Sequence, residues 1–202
     1  MKRYGVSIFL FIVMVVYPVL SCATDRAPLA NREPRISSLG FSFIPPPGAN
    51  WVEEFGENEI KYIKQIDPAI STLFGGATEL QTQLTFATPE KFREYITAKR
   101  KPTESVPRFT NTKASYSLEP SIAPFCVRYK EQFEDRGAKN RYGRPFLVVF
   151  NHGIICLHPE NPKVSVDIYY SYRYPPDKID KGIMSEGEEF INSLKMLIHK
   201  KQ

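Results

Sequence analysis

The chain has 202 residues, 27 basic against 22 acidic side chains and a formal net charge of +5. So mild an excess argues against a dedicated nucleic-acid binder, which concentrates far more positive charge on one face. The length is enough for one domain with a proper hydrophobic core.

Lys2 and Arg3 form a positive start, and Val6 to Leu20 carry no charge before the small residue Ser21. That is the layout of a secretory signal peptide. Fifteen residues at about 1.5 Å each reach roughly 22 Å, short of the roughly 30 Å hydrocarbon layer. Val19-Leu20-Ser21-Cys22 resembles the lipobox of bacterial lipoproteins: an aliphatic residue, a small residue before the cleavage point, then a cysteine. The resemblance implies a signal peptide over 1–21, a lipid thioether on Cys22, and an anchor in the bacterial cell membrane or outer membrane. Leu20 is bulkier than the residue most common at its position. Cleavage after Ser21-Cys22-Ala23 by the ordinary signal peptidase and an uncleaved anchor are the competing readings.

Removing 1–21 takes away Lys2 and Arg3 and leaves 25 basic against 22 acidic side chains. The basic clusters Lys99-Arg100-Lys101 and Arg136 to Arg144 read as solvated loops. With Cys22 assigned to lipid, Cys126 and Cys156 remain as a pair, and export favours a disulfide between them. Two buried free thiols are the alternative.

Residues 22–38 are polar and carry two prolines, which predicts a flexible tether ahead of a single α+β domain over 39–202. Phe41 and Phe43 alternate in a short strand that Pro45-Pro46-Pro47 ends. A second strand is expected at "EIKYIKQI". "DPAISTLFGG" reads as a helical turn or structured loop stopped by Gly75-Gly76, and "TELQTQLTFA" as a half-buried strand with Leu80, Leu84 and Phe86 on one side. Thr88 as N-cap, Pro89 at the first helical position, and Phe92, Tyr95 and Ile96 on one face predict a helix that Pro102 stops.

Strands follow at "KASYSL" and "PFCVRYKEQFED", where Cys126 points away from the face of Val127 and Tyr129. "RPFLVVFNHGIICLHP" reads as a strand buried on both sides, with a turn or bulge at Asn151-His152-Gly153. In "KVSVDIYYSYRY" the even positions Val164 to Tyr174 share one face, and Asp167, Tyr169, Ser171 and Arg173 share the other. A last helix is expected from Ser185, its stripe made by Phe190, Ile191, Leu194, Leu197 and Ile198. The predicted class is α+β, a mainly antiparallel β-sheet covered by a middle helix and a C-terminal helix.

The opening "FSFIPPPGANW", the middle helix after Thr88 and the closing "EGEEFINSLK" resemble the PsbP-like α-β-α sandwich of several small bacterial lipoproteins. The likeness rests on layout. It implies a binding or assembly module and carries over no site residue.

No catalytic, metal or cofactor motif emerges. His152, His158 and His199 lack ligand spacing, and there is no Gly-x-Ser-x-Gly elbow or phosphate loop. Glu53-Glu54 and Glu186 to Glu189 read as loop and helix-start acids. Trp51, Tyr169 and Arg173 are the candidate interaction surface, amphipathic groups of the kind found at interfaces, although Trp51 also suits a core and tyrosine suits packing under a helix. The expected function is a lipid-anchored, non-catalytic envelope module that binds a protein or an envelope polymer. The alternative is a small envelope hydrolase with a carboxylate or Cys-His site.

Overall fold

Alternating β-branched and aromatic residues make strands, and here they make most of the molecule. A computed structural model describes residues 25–67, 71–81, 84–100, 108–137 and 144–198. In chain order the elements are β1 (Asp25–Pro28), β2 (Arg35–Ile36), β3 (Phe41–Phe43), β4 (Val52–Phe55), β5 (Glu59–Asp67), β6 (Ser71–Gln81), α1 (Pro89–Arg100), β7 (Phe109–Leu118), β8 (Cys126–Asp135), β9 (Leu147–Leu157), β10 (Val164–Tyr174), α2 (Lys181–Asn192) and β11 (Lys195–Met196).

One antiparallel sheet runs β1-β4-β5-β6-β10-β9-β8-β7, and a small one runs β11-β3-β2. Among the described residues the fold is α+β with a mainly antiparallel sheet and two helices. α2 lies over β10, β6 and β9, while α1 lies over β7 and β8. Beneath α2, Tyr62, Ile154, Ile168, Tyr170, Phe190 and Ile191 are fully buried, and the rings of Phe43, Tyr62 and Phe190 meet edge to face at 5.4 to 6.4 Å. Beneath α1, Phe92 and Ile96 pack on Val127, Tyr129, Ile155 and Leu157. Because α1 packs against the β7–β8 side, the polar face of β10 keeps an open cleft.

The helix after Thr88 forms as expected. The Lys91 amide donates to Thr88 Oγ1 at 3.3 Å, and Pro89 opens the first turn without needing a donor. Cys126 and Cys156 stand directly opposite on β8 and β9 and are bonded to each other beneath α2.

Several expectations fail for identifiable reasons. Residues 25–38 are part of the domain rather than a free tether. β1 pairs with β4, β2 pairs with β3, Arg32 reaches Glu189 at 2.6 Å, and Arg35 grips Glu53 at 2.8 and 3.0 Å. Polarity there marks an edge held by backbone and ion pairs, and Pro28 is tolerated because β1 is an edge strand. "DPAISTLFGG" is a strand from Ser71 onward, with residues 68–70 outside the described ones. Gly75 lies between Tyr62 and Tyr170 and Gly76 between Lys61 and Tyr169, so the glycines sit in a strand interior beside large neighbours. Strand β6 ends at Gln81. Leu84 is exposed, and Phe86 turns onto α1, 5.1 Å from Phe92.

β9 runs unbroken through Asn151, His152 and Gly153, with His152 opposite Tyr170 and Lys130. α2 begins earlier than Ser185 because Asp180 is the cap, its carboxylate accepting from the Gly182 and Ile183 amides at 2.8 and 3.4 Å. It ends at Asn192, where Ser193 Oγ accepts from the Ile44 amide at 2.9 Å and the chain leaves to pair β11 with β3. Leu197 and Ile198 therefore lie off the helical stripe. Pro102 and His199 lie outside the described residues.

Candidate functional site

The polar face of β10 points toward the α1 side of the sheet. Its register sets Tyr169 beside Gly153 and Gly76, Ser171 beside Asn151, and Asp167 beside Ile155 and Thr78. Arg100, the last residue of α1, reaches over the same face. Together with Tyr129 and Arg173 these side chains line a cleft of about 590 Å³, inside the roughly 300–1,000 Å³ range of small-molecule sites. Tyr169 and Arg173 are thus brought into one cleft.

Trp51 is not on that surface. It is 3% exposed within the core on the α2 side, its indole N–H donates to the Pro47 carbonyl at 2.7 Å, and the Lys64 ammonium lies 5.6 Å from its ring. A large ring with one satisfied donor packs better in a core than in water.

The cleft is organised by ion pairs. The Arg100 guanidinium lies 3.6 Å above the Tyr129 ring, donates to both Glu131 oxygens at 2.9 and 3.1 Å, and comes within 3.4 Å of Asp167 Oδ2. Tyr129 donates to Asp167 Oδ1 at 3.0 Å, and Tyr116 donates to Glu131 at 2.9 Å. Tyr169 and Thr78 donate to Glu59 at 3.1 and 3.2 Å, with Lys61 also 2.9 Å from Glu59. At the far end Arg108 grips Asp135 at 2.8 and 2.9 Å, and Arg173 joins it at 3.2 Å. Arg100, Arg108, Arg173 and Lys61 stand against the carboxylates of Glu131, Asp167, Glu59 and Asp135, four cations to four anions, so the network around the cleft holds strong dipoles and balanced charge.

Burial pushes the Asp167 carboxyl up to about 6, against the pull of Arg100 and the Tyr129 hydroxyl. Its side chain is 16% exposed. Burial also raises the Tyr129 and Tyr169 phenols, so both remain donors at neutral pH. An unfolded aspartate loses its proton near pH 4, so the folded chain binds more protons between about pH 4 and 6. Asp167 ionisation therefore draws stability down as pH rises through that window. Relative to the wild type, Asp167→Asn is expected to gain roughly 2 to 3 kcal/mol between pH 4 and pH 7. Urea denaturation of both proteins at the two pH values checks this, and a difference that does not move with pH would rule it out.

The other candidate chemistries are dispersed. Cys126 and Cys156 are bonded to each other, so among the described residues neither offers a free thiol to a Cys-His site. His158 accepts from the Glu160 and Asn161 amides at Nδ1 and meets the Gly40 carbonyl at Nε2. His152 is buried on the α2 side, opposite in facing to Asp167, with Nδ1 2.7 Å from Glu188. Burial holds its imidazole below the usual range against the attraction of that carboxylate. Glu53 accepts from Tyr62 and Arg35, Glu186 holds Lys64 at 2.7 Å, and Glu189 holds Arg32. Among the described residues, no three His, Cys, Asp or Glu side chains converge as metal ligands.

Arg100, Tyr129 and Asn151 escaped the sequence reading as site residues. A signal existed for the first, since Phe92, Ile96 and Arg100 recur every four residues and share one helix face. No protein-family model matches the chain, and no curated protein sequence matches it.

Proposed function

We propose that the chain is a lipid-anchored protein of the bacterial cell envelope whose α+β domain is a non-catalytic binding module for a protein or an envelope polymer. The observation that carries the binding reading is the cleft along β10, where Tyr169 and Arg173 sit among preorganised ion pairs with open volume above them. The Cys126–Cys156 bond supports export to an oxidising compartment. Val19 to Cys22 supports lipid attachment at Cys22, with the mature chain held at the cell membrane or outer membrane through more than one acyl chain. Helices on opposite faces of the sheet are in keeping with the likeness to PsbP-like sandwiches.

Palmitate labelling tests the anchor. Wild-type chain is expected to take up label and to fractionate with membranes, and Cys22→Ser to lose both. Label surviving that substitution would sink the assignment.

A second reading, a carboxylate hydrolase, is favoured by one observation, the Asp167 carboxyl held near 6 within the cleft. It requires turnover of a bound polymer that Asp167→Asn abolishes, whereas a binding module releases no product.

A further inference from the structure

We infer that the cleft along β10 recognises a short, uncharged oligosaccharide. The inference rests on the binding reading above and names the ligand class of that cleft. The first argument is charge. Arg100 faces two carboxylates, Glu131 and Asp167, whereas Arg108 and Arg173 share the single carboxylate of Asp135, so an anion suited to the Arg173 end meets excess carboxylate at the Arg100 end. A cation meets the reverse.

The second argument is unmet hydrogen-bonding capacity. Asn151 and Ser171 are neighbours across β9 and β10 on the cleft face. Among the described residues, neither side chain has a protein partner. An apolar ligand would seal both away from water, at a cost of about 1 to 3 kcal/mol for each group left unsatisfied. A ligand bearing many hydroxyls satisfies them, because adjacent hydroxyls can donate to and accept from one planar amide while another donates to a carboxylate already held in place.

The third argument is the floor. Tyr169 is half-buried there, its hydroxyl fixed by Glu59, and Gly153 and Gly76 flank it without a Cβ. A flat aromatic surface bordered by fixed planar polar groups suits a sugar ring, which has both C–H and O–H edges.

The test is calorimetric titration of the full chain, held in a sugar-free detergent, with cellotriose, maltotriose and triacetylchitotriose as neutral probes and a heparin disaccharide as the anionic one. At least one neutral trisaccharide is expected to bind, with an affinity that changes less than about twofold between roughly 50 and 500 mM salt, since no ion pair forms across the interface. Asn151→Ala and Ser171→Ala are each expected to weaken it about tenfold or more, a change of about 1.4 kcal/mol, and neither removes a side-chain hydrogen bond among the described residues. Binding of none of the neutral probes, binding of the heparin disaccharide alone, or affinity indifferent to both substitutions overturns the inference. So does a polypeptide as the species captured at the cleft in cells. In that last case the binding reading stands and only the sugar class falls.

Discussion

Gly153→Val is expected to destabilise the domain by at least about 4 kcal/mol, enough to deprive a domain of ordinary stability of most of its folded population. Gly153 sits on β9 with Tyr129 on one side strand and Tyr169 on the other. A Cβ at this position would lie 2.4 Å from the Tyr129 hydroxyl oxygen, 2.6 Å from Cζ and 2.7 Å from the Ile168 carbonyl oxygen. The tyrosine could swing aside, but the carbonyl belongs to the backbone of β10 and cannot move without disturbing the sheet. Swinging Tyr129 would also break its bond to Asp167 and uncover the guanidinium of Arg100. Overpacking and a broken buried network thus add at one atom. Urea denaturation measures the loss, and a variant within about 1 kcal/mol of the wild type would contradict the packing described for this strand.

The paired substitution Cys126→Ala with Cys156→Ala is expected to cost roughly 3 to 4 kcal/mol. The two residues are 30 apart in sequence and directly opposite on adjacent strands, with Cα atoms 4.1 Å apart. The Leu157 amide donates to the Phe125 carbonyl, so the cysteines occupy a non-hydrogen-bonded position of the ladder, where side chains approach closest. Losing the bond returns loop entropy to the unfolded chain. Both sulfurs are also fully buried under α2, so truncation leaves a small void in the core. Wild-type protein unfolded in urea with and without reductant gives the comparison, the reduced chain unfolding at lower urea. Equal midpoints for the oxidised wild type and the double variant would remove the disulfide from the stability of this fold.

Wherever one residue type served one purpose, the pattern could be read directly. Val164 to Tyr174 alternates because one face meets the α2 core, and Thr88-Pro89 caps a helix because an orphan amide needs an acceptor. Failures came where a residue served a distant partner. Gly75-Gly76 reads as a stop until Tyr62, Tyr169 and Tyr170 are known to flank it. Asn151-His152-Gly153 reads as a turn until Tyr129 is seen lying across Gly153. Arg26 to Arg35 read as free chain because strand pairing with β4 and ion pairs to Glu53 and Glu189 leave no local trace.

The site followed the same division. Tyr169 and Arg173 were legible as the polar face of one strand. Their company was not, because Arg100 arrives from a helix and Glu59 from a strand separated by more than a hundred residues in sequence. Trp51 was ambiguous for a simple reason: its size suits an interface and a core equally, and its burial in the α2-side core, with the indole N–H satisfied by the Pro47 carbonyl, decides between them.

Binding through the cleft is tested most directly in intact cells, with a photoactivatable side chain placed at Lys61 of the full chain, which borders Tyr169 across Gly76 on the same face of the sheet, and, as control, at Ser117 on the exposed edge strand β7. Illumination is expected to give a covalent adduct from position 61 and none from position 117. No adduct from position 61, or equal yields from both positions, would contradict a binding role for this face of the sheet.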